Sequence, residues 1–145
     1  GMAAEGNRYT GFLYAGIMVA PDGGIKVLEY NCRFGDPETQ PIMMRLKSDL
    51  STLLTAAVDG RLSEVKAKWD RRPCLGVVLA AGGYPGGYRT GLAILGADLP
   101  GQDIKVFHAG TRLDAGQAVT AGGRVLCVCG LGETVTEAQE RVYRH

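Results

Sequence analysis

Charge does not define this sequence. Its 16 lysines and arginines meet 15 aspartates and glutamates, for a formal net charge of +1. That balance excludes a broad electrostatic pull toward nucleic acid or an anionic membrane. No apolar run approaches the length that spans a bilayer. Residues 1–7, Gly-Met-Ala-Ala-Glu-Gly-Asn, lack the pattern of a signal peptide. The four cysteines (Cys32, Cys74, Cys127 and Cys129) contain no C-x-x-C pair. No zinc or disulfide framework follows, and a reducing cytoplasm is the expected setting. Also missing are the Lys-Ser/Thr of a P-loop, a G-x-G-x-x-G fingerprint and any evident Ser-His-Asp or Cys-His set. What is present is a globular composition, 46% hydrophobic and 21% charged over 145 residues. That is enough for one compact domain or parts of two. The 22 glycines are about twice ordinary usage and predict tight turns and close backbone approaches.

Residues 11–20 are apolar throughout, and their glycine, aromatic and β-branched content favours a strand over a buried helix. Pro21-Asp22-Gly23-Gly24 is turn chemistry, so Ile25 to Cys32 reads as the returning strand of a hairpin. Strict alternation puts Ile25, Val27, Glu29 and Asn31 on one face, and Lys26, Leu28, Tyr30 and Cys32 on the other. Arg33 joins the first face if the strand persists. Gly35-Asp36-Pro37-Glu38 reads as a helix entrance capped by Asp36. Pro41 then demands either an irregular first turn or a helix that starts at Pro41. A second helix is expected from Ser48, with Leu50, Leu53, Leu54 and Ala57 inward and Gly60 at its end. Residues 62–73 are charged and form the candidate linker, with Trp69 as a possible anchor.

Beyond it, Cys74–Ala81, Lys105–Ala109 and Arg124–Cys129 read as strands. Thr134–Arg144 reads as a helix with the capping boxes Thr134/Glu137 and Thr136/Gln139 and an inner stripe of Val135, Ala138 and Val142. The loop Gly82-Gly83-Tyr84-Pro85-Gly86-Gly87-Tyr88-Arg89-Thr90-Gly91 has two readings. Its bare backbone N–H groups, with Arg89, suit a phosphate group; it equally suits a wide turn between strands. His108 reads as a hydrogen-bonded structural residue, and Cys127 and Cys129 as small core side chains.

The most informative stretch is Val27-Leu-Glu-Tyr-Asn-Cys-Arg-Phe-Gly-Asp-Pro-Glu-Thr-Gln40. A carboxylate and an amide two apart on a strand offer hard oxygen donors that suit Mg²⁺ and leave most of its octahedron to phosphate and water. Arg33 adds a planar fork for a carboxylate or phosphate. A solvated edge strand would carry the same short E-x-N pattern.

The segment "LEYNCRFGDPETQPIM" resembles the signature of the phosphoribosylamine–glycine ligase family. "GMAAEGNRYTGFLYAGIM", "GVVLAAGGYPGGYRTG", "KVFHAGT" and "GGRVLCVCGLGETVTEAQ" resemble it too, so the likeness covers nearly the whole chain. The resemblance implies an ATP-grasp enzyme of purine biosynthesis. It would join glycine to 5-phosphoribosylamine with ATP, through a glycyl phosphate, releasing ADP and phosphate. By position it implies Glu29 and Asn31 as ligands of Mg²⁺ (or Mn²⁺) holding the nucleotide, and Arg33 facing the acceptor carboxylate or the transferring phosphate. Asp36 or Glu38 would hold the glycine ammonium, and Gly82, Gly83 and Arg89 the ribose phosphate. The partners implied are ATP, glycine, 5-phosphoribosylamine and the N-terminal portion of the enzyme, with no nucleic acid and no membrane. A polypeptide of these residues alone is expected to be inactive and to bind ATP weakly. Two other readings remain: another ATP-grasp carboxylate–amine ligase of purine synthesis, or a non-catalytic assembly module. The expected fold is α+β. Residues 1–61 form the C-terminal part of an ATP-grasp domain, 62–73 a linker, and 74–145 a small antiparallel β-rich domain closed by a helix.

Overall fold

Residues 21–24 turn the chain back on itself, as their composition requires. In the computed structural model, which describes residues 1–98 and 101–145, β1 (Tyr14–Val19) and β2 (Ile25–Asn31) form a two-stranded antiparallel hairpin. The Ala20 N–H donates to the Gly24 carbonyl at 2.8 Å, and the Asp22 carboxylate accepts from the Gly24 N–H at 2.9 Å.

The ladder is not regular. Asn31 lies opposite Tyr14, Tyr30 opposite Ala15 and Glu29 opposite Gly16, but Ile17 then faces Val27, and Met18 faces Lys26. Leu28 is the extra residue of a bulge. Directly opposed residues share a face, and one unpaired residue flips the alternation on either side of it. One face therefore carries Tyr14, Gly16, Met18, Asn31, Glu29 and Lys26. The other carries Ala15, Ile17, Val19, Tyr30, Val27 and Ile25. This corrects the strict alternation: Glu29 and Asn31 do not share a face with Ile25 and Val27. The physical reason is plain, since a regular strand would force a carboxylate and an amide onto the apolar face. The strand also ends at Asn31, so Arg33 sits in a bend and not on a strand face.

Two compact units divide the chain, and each is discontinuous in sequence. The first comprises Gly1–Asp36 and Lys47–Lys68, which holds the hairpin and α2 (Leu50–Val58). Asp49, not Ser48, caps α2: its carboxylate accepts from the Ser51 N–H and the Ser51 hydroxyl, both at 2.7 Å. Those bonds hold the Asp49 carboxyl below its usual range. Ser48 instead accepts from the Lys68 N–H at 2.7 Å. Ala56 is the buried residue of α2, with Leu50, Leu53 and Ala57 half-buried, whereas Leu54 faces solvent.

The second unit comprises Pro37–Leu46 and Trp69–His145. It begins with α1 (Thr39–Arg45). The chain turns through Asp36–Glu38, and Glu38 precedes α1 without a side-chain cap. The helix thus starts neither with Asp36 as cap nor at Pro41. Pro41 occupies the third helical position, where an N–H has no intrahelical acceptor to lose. A three-stranded antiparallel sheet follows in the order β3 (Cys74–Ala80), β7 (Arg124–Leu131), β4 (Ile104–His108).

β7 is central and is covered on both faces, which explains its continuous apolar run. On one face, a β-carbon at Gly76 would meet Pro41 of α1 together with the sulfurs of Cys129 and Cys127. On the other, a β-carbon at Gly130 would meet Val142 of α3 (Val135–Arg144). Val125 to Cys129 and Leu131 are all buried, Cys129 completely. Cys127 and Cys129 are core side chains, as expected.

α3 is capped by Thr134, whose hydroxyl accepts from the Glu137 N–H at 3.1 Å, while the Glu137 carboxylate accepts from the Glu133 N–H at 2.8 Å. Ala138 and Val142 form its buried stripe, but Val135 is exposed. Charged side chains pin the rim. Arg72 donates to both oxygens of Asp70 (3.0 and 3.1 Å) and of Asp103 (2.9 and 3.1 Å), and Asp103 also accepts from Arg141 at 3.0 Å. Two further strands, β5 (Thr111–Asp114) and β6 (Gln117–Thr120), pair as a hairpin that the sequence reading missed. The architecture is α+β with antiparallel sheets, as expected.

Candidate metal and phosphate site

The hairpin brings Glu29 and Asn31 together. The Asn31 Nδ2 donates to Glu29 Oε1 at 3.0 Å, on the polar face and at the open end of β2. Gly16 lies directly across from Glu29, and a β-carbon there would stand 3.2 Å from Glu29 Cγ. The missing side chain leaves room for the carboxylate to stand upright from the sheet. A half-turn of the Asn31 amide would set its carbonyl oxygen beside Glu29. The pair then offers two hard oxygen donors to one ion, with the remaining positions open to phosphate and water. Among the described residues no group of three or more His, Cys, Asp or Glu is arranged for a metal.

Arg33 follows in an exposed bend, where its Nη1 donates to the Phe34 carbonyl at 2.9 Å. That bend is braced from the chain before β1. Phe34 stacks on Phe12 with ring centroids 3.7 Å apart, and the Tyr9 hydroxyl donates to the Phe12 carbonyl at 2.6 Å. Desolvation, followed by a hydrogen bond with the Cys32 thiol, holds the Tyr9 phenol above its ordinary value. Cys32 itself is exposed.

The other candidate residues lie apart in kind. Asp36 closes the first compact unit and is exposed; Glu38 belongs to the second. Gly82, Gly83 and Arg89 are exposed in the loop after β3, also in the second unit. That loop is internally built: the Tyr84 N–H donates to Ala81 at 3.0 Å and the Gly86 N–H to Gly83 at 2.8 Å. Gly83 has φ +98°, and a β-carbon there would collide with the Gly87 carbonyl oxygen. Tyr84 and Tyr88 pack over Gly123, their ring centroids 6.2 Å apart. His108 shares a hydrogen bond between Nδ1 and Thr111 Oγ1 at 3.1 Å, the structural role expected of it.

Sequence reasoning missed Lys26. Strict alternation assigns it to the face opposite Glu29; the Leu28 bulge returns it to the same face. The available signal was the switch from apolar to polar residues halfway along one face of a single strand.

Comparison with known proteins bears on the family of the chain. Residues 1–39 match the family model "Phosphoribosylglycinamide synthetase, ATP-grasp (A) domain", and residues 74–145 match "Phosphoribosylglycinamide synthetase, C domain". The class so defined is the ATP-grasp ligases. A phosphoribosylamine–glycine ligase of Escherichia coli O6:H1 is 65% identical over 145 residues, which is 99% of this chain and 34% of that protein. One from Vibrio cholerae serotype O1 is 63% identical over 147 residues, with the same shares. The crystal structure of phosphoribosylamine–glycine ligase from Thermotoga maritima superposes with a TM-score of 0.80 at 38% identity, over 99% of this chain and 35% of that one. The chain belongs to the phosphoribosylglycinamide synthetase family and spans about a third of the length of these relatives.

Proposed function

We propose that this chain supplies the metal-bearing edge of the ATP-grasp domain, and the C domain, of a phosphoribosylamine–glycine ligase. The reaction joins glycine to 5-phosphoribosylamine and converts ATP to ADP and phosphate. The observation that carries this reading is the Glu29–Asn31 pair, two oxygen-bearing side chains in contact on one open face at the end of β2. Glu29 and Asn31 hold the divalent ion, Mg²⁺ or Mn²⁺. When bound, it neutralises phosphate charge and orients the nucleotide. Arg33 lies two residues beyond, on a braced and exposed bend, and presents its planar guanidinium to the glycine carboxylate or the transferring phosphate. Asp36 or Glu38 takes the glycine ammonium. The glycine loop, through Gly82, Gly83 and Arg89, takes the ribose phosphate. Phosphoryl transfer to the glycine carboxylate gives an acyl phosphate, which the amine of phosphoribosylamine then attacks. Chemistry of this kind rests on positioning and charge, so no side-chain nucleophile is required.

A polypeptide limited to these 145 residues is expected not to turn over. The direct test is Mg²⁺ titration of the chain watched by amide NMR. Selective shifts at Glu29–Asn31 support the reading; a chain whose residues 25–38 stay fixed at millimolar Mg²⁺ overturns it. The glycine assignment is tested in the longer enzyme. There Asp36→Asn raises the glycine KM well above any change in the ATP KM, and equal effects on the two would reject it.

A further inference from the structure

We propose that Lys26 is a polyphosphate-binding residue of the Glu29–Asn31 face, an inference that rests on the metal-site reading above. The bulge at Leu28 is the observation behind it. Lys26 lies opposite Met18, Glu29 opposite Gly16 and Asn31 opposite Tyr14, so the three polar side chains stand in one line on one face of the hairpin. With Leu28 bulged out, Lys26 and Glu29 face positions only two residues apart on the partner strand, Met18 and Gly16, about 7 Å at the rise of an extended chain. The four-carbon stem of lysine covers much of that interval. Gly16, directly opposite Glu29 on the partner strand, raises no side chain at that end of the interval.

The charges are complementary in sequence along the face. A divalent ion on one carboxylate leaves a net charge of about +1 there. A triphosphate carries several negative charges, so its far end needs a second cation. Lysine is a compact point charge of the type that serves phosphate without demanding bidentate geometry. Among the described residues the Lys26 ammonium makes no hydrogen bond or ion pair, and it is exposed. It is therefore not committed to holding the hairpin together. The plainer role for an exposed strand lysine is to discourage edge pairing. That role needs a charge on the strand, not a charge on the Glu29 side of it, and it predicts no effect on phosphate.

The test uses this chain with two probes, Mn²⁺ alone and then inorganic tripolyphosphate on the Mn²⁺-loaded protein. Binding is followed by water-proton relaxation and by paramagnetic broadening of amide signals at fixed ionic strength. Lys26→Gln is expected to leave Mn²⁺ affinity within about twofold, to weaken tripolyphosphate about tenfold, and to be rescued by Lys26→Arg. Lys66→Gln, an exposed lysine elsewhere in the same unit, controls for net charge. If Lys26→Gln matches the parent chain, or weakens tripolyphosphate no more than Lys66→Gln does, the inference is overturned while the metal site stands. If Mn²⁺ fails to broaden residues 29–31 at all, the metal-site reading falls and this inference with it.

Discussion

Gly16 lies directly across the hairpin from Glu29, and a β-carbon placed on it would come within 3.2 Å of Glu29 Cγ. The space that glycine leaves is what lets the carboxylate rise from the sheet beside Asn31. A branched side chain there favours the strand but crowds the Glu29 carboxylate. Gly16→Val is therefore expected to keep the hairpin, judged by amide shifts away from the site, and to weaken Mn²⁺ binding about tenfold. Gly16→Ala should lie between the two. A Gly16→Val chain that binds Mn²⁺ as the parent does would show that Glu29 has other room.

The rim of the second unit is electrostatic. Arg72 bridges Asp70, which is buried, and Asp103, which also takes Arg141. Its hydrogen bond from Arg72, aided by the charge of Arg72 and then by Arg141, holds the Asp103 carboxyl below its ordinary value of 3.8. A depressed folded-state value contributes stability that is complete above the unfolded-state value. It is lost as pH falls through the lower, folded-state one. The contribution should thus be full at pH 5 and above, begin to fall near pH 4 and vanish only below the depressed folded-state value. Asp103→Asn is expected to lower the melting temperature at pH 7 and to lower it less at pH 2.5. Thermal melts at the two values check this; equal losses at both would mean that packing, not ionisation, carries the effect.

How much of this was legible beforehand follows the local physics. The hairpin turn, β3, β4, β7, α3 and the Glu29–Asn31 pair announce themselves through turn residues, apolar runs and a cap. The bulge does not, because alternation counts residues and cannot see that Leu28 is skipped. Asp49 took the cap that Ser48 was expected to fill, since both offer an oxygen and only the backbone path distinguishes them. Leu54 and Val135 follow helical spacing yet face solvent, because neither helix buries the full width of its apolar stripe. β5 and β6 are four residues each, too short for periodicity, and their turn lacks the Asn-Gly signal.

That turn makes a prediction of its own. Ala115 and Gly116 adopt φ of 47° and 83°, the left-handed pair that a two-residue hairpin demands. Alanine pays a steric penalty there that glycine and asparagine largely escape. Ala115→Asn or Ala115→Gly is expected to stabilise the second unit by about 1 kcal/mol. Urea denaturation at neutral pH measures it, with a shifted midpoint and an unchanged slope. A loss of stability in both variants would show that the Ala115 methyl group makes a contact worth more than the strain.

The three thiols of the sheet differ in reactivity by position. Cys74 is half-buried at the start of β3, whereas Cys127 and Cys129 are closed under α1, their sulfurs 3.6 Å apart. Cys129 acts on Cys74 through side-chain hydrogen bonding. This lowers the Cys74 value, with help from the positive charge of Arg45, and raises that of Cys129, which burial raises further. Cys74 is then the thiolate of the cluster, formed at lower pH than the ordinary 9.0. Iodoacetamide at pH 7.5 should modify Cys74 in the native chain and spare Cys127 and Cys129 until β3 and β7 separate. Cys129→Ala removes the largest of the influences that lower Cys74 and leaves Arg45 and the Gly130 backbone. The Cys74 alkylation rate at pH 7.5 should consequently drop several-fold, and its pH profile should move upward, as thiolate content dictates. Peptide mass spectrometry across pH 6–10 reads both. If Cys74 and Cys129 label in step in the folded parent chain, the sheet opens faster than the thiols differ, and the hydrogen bond does not control the chemistry.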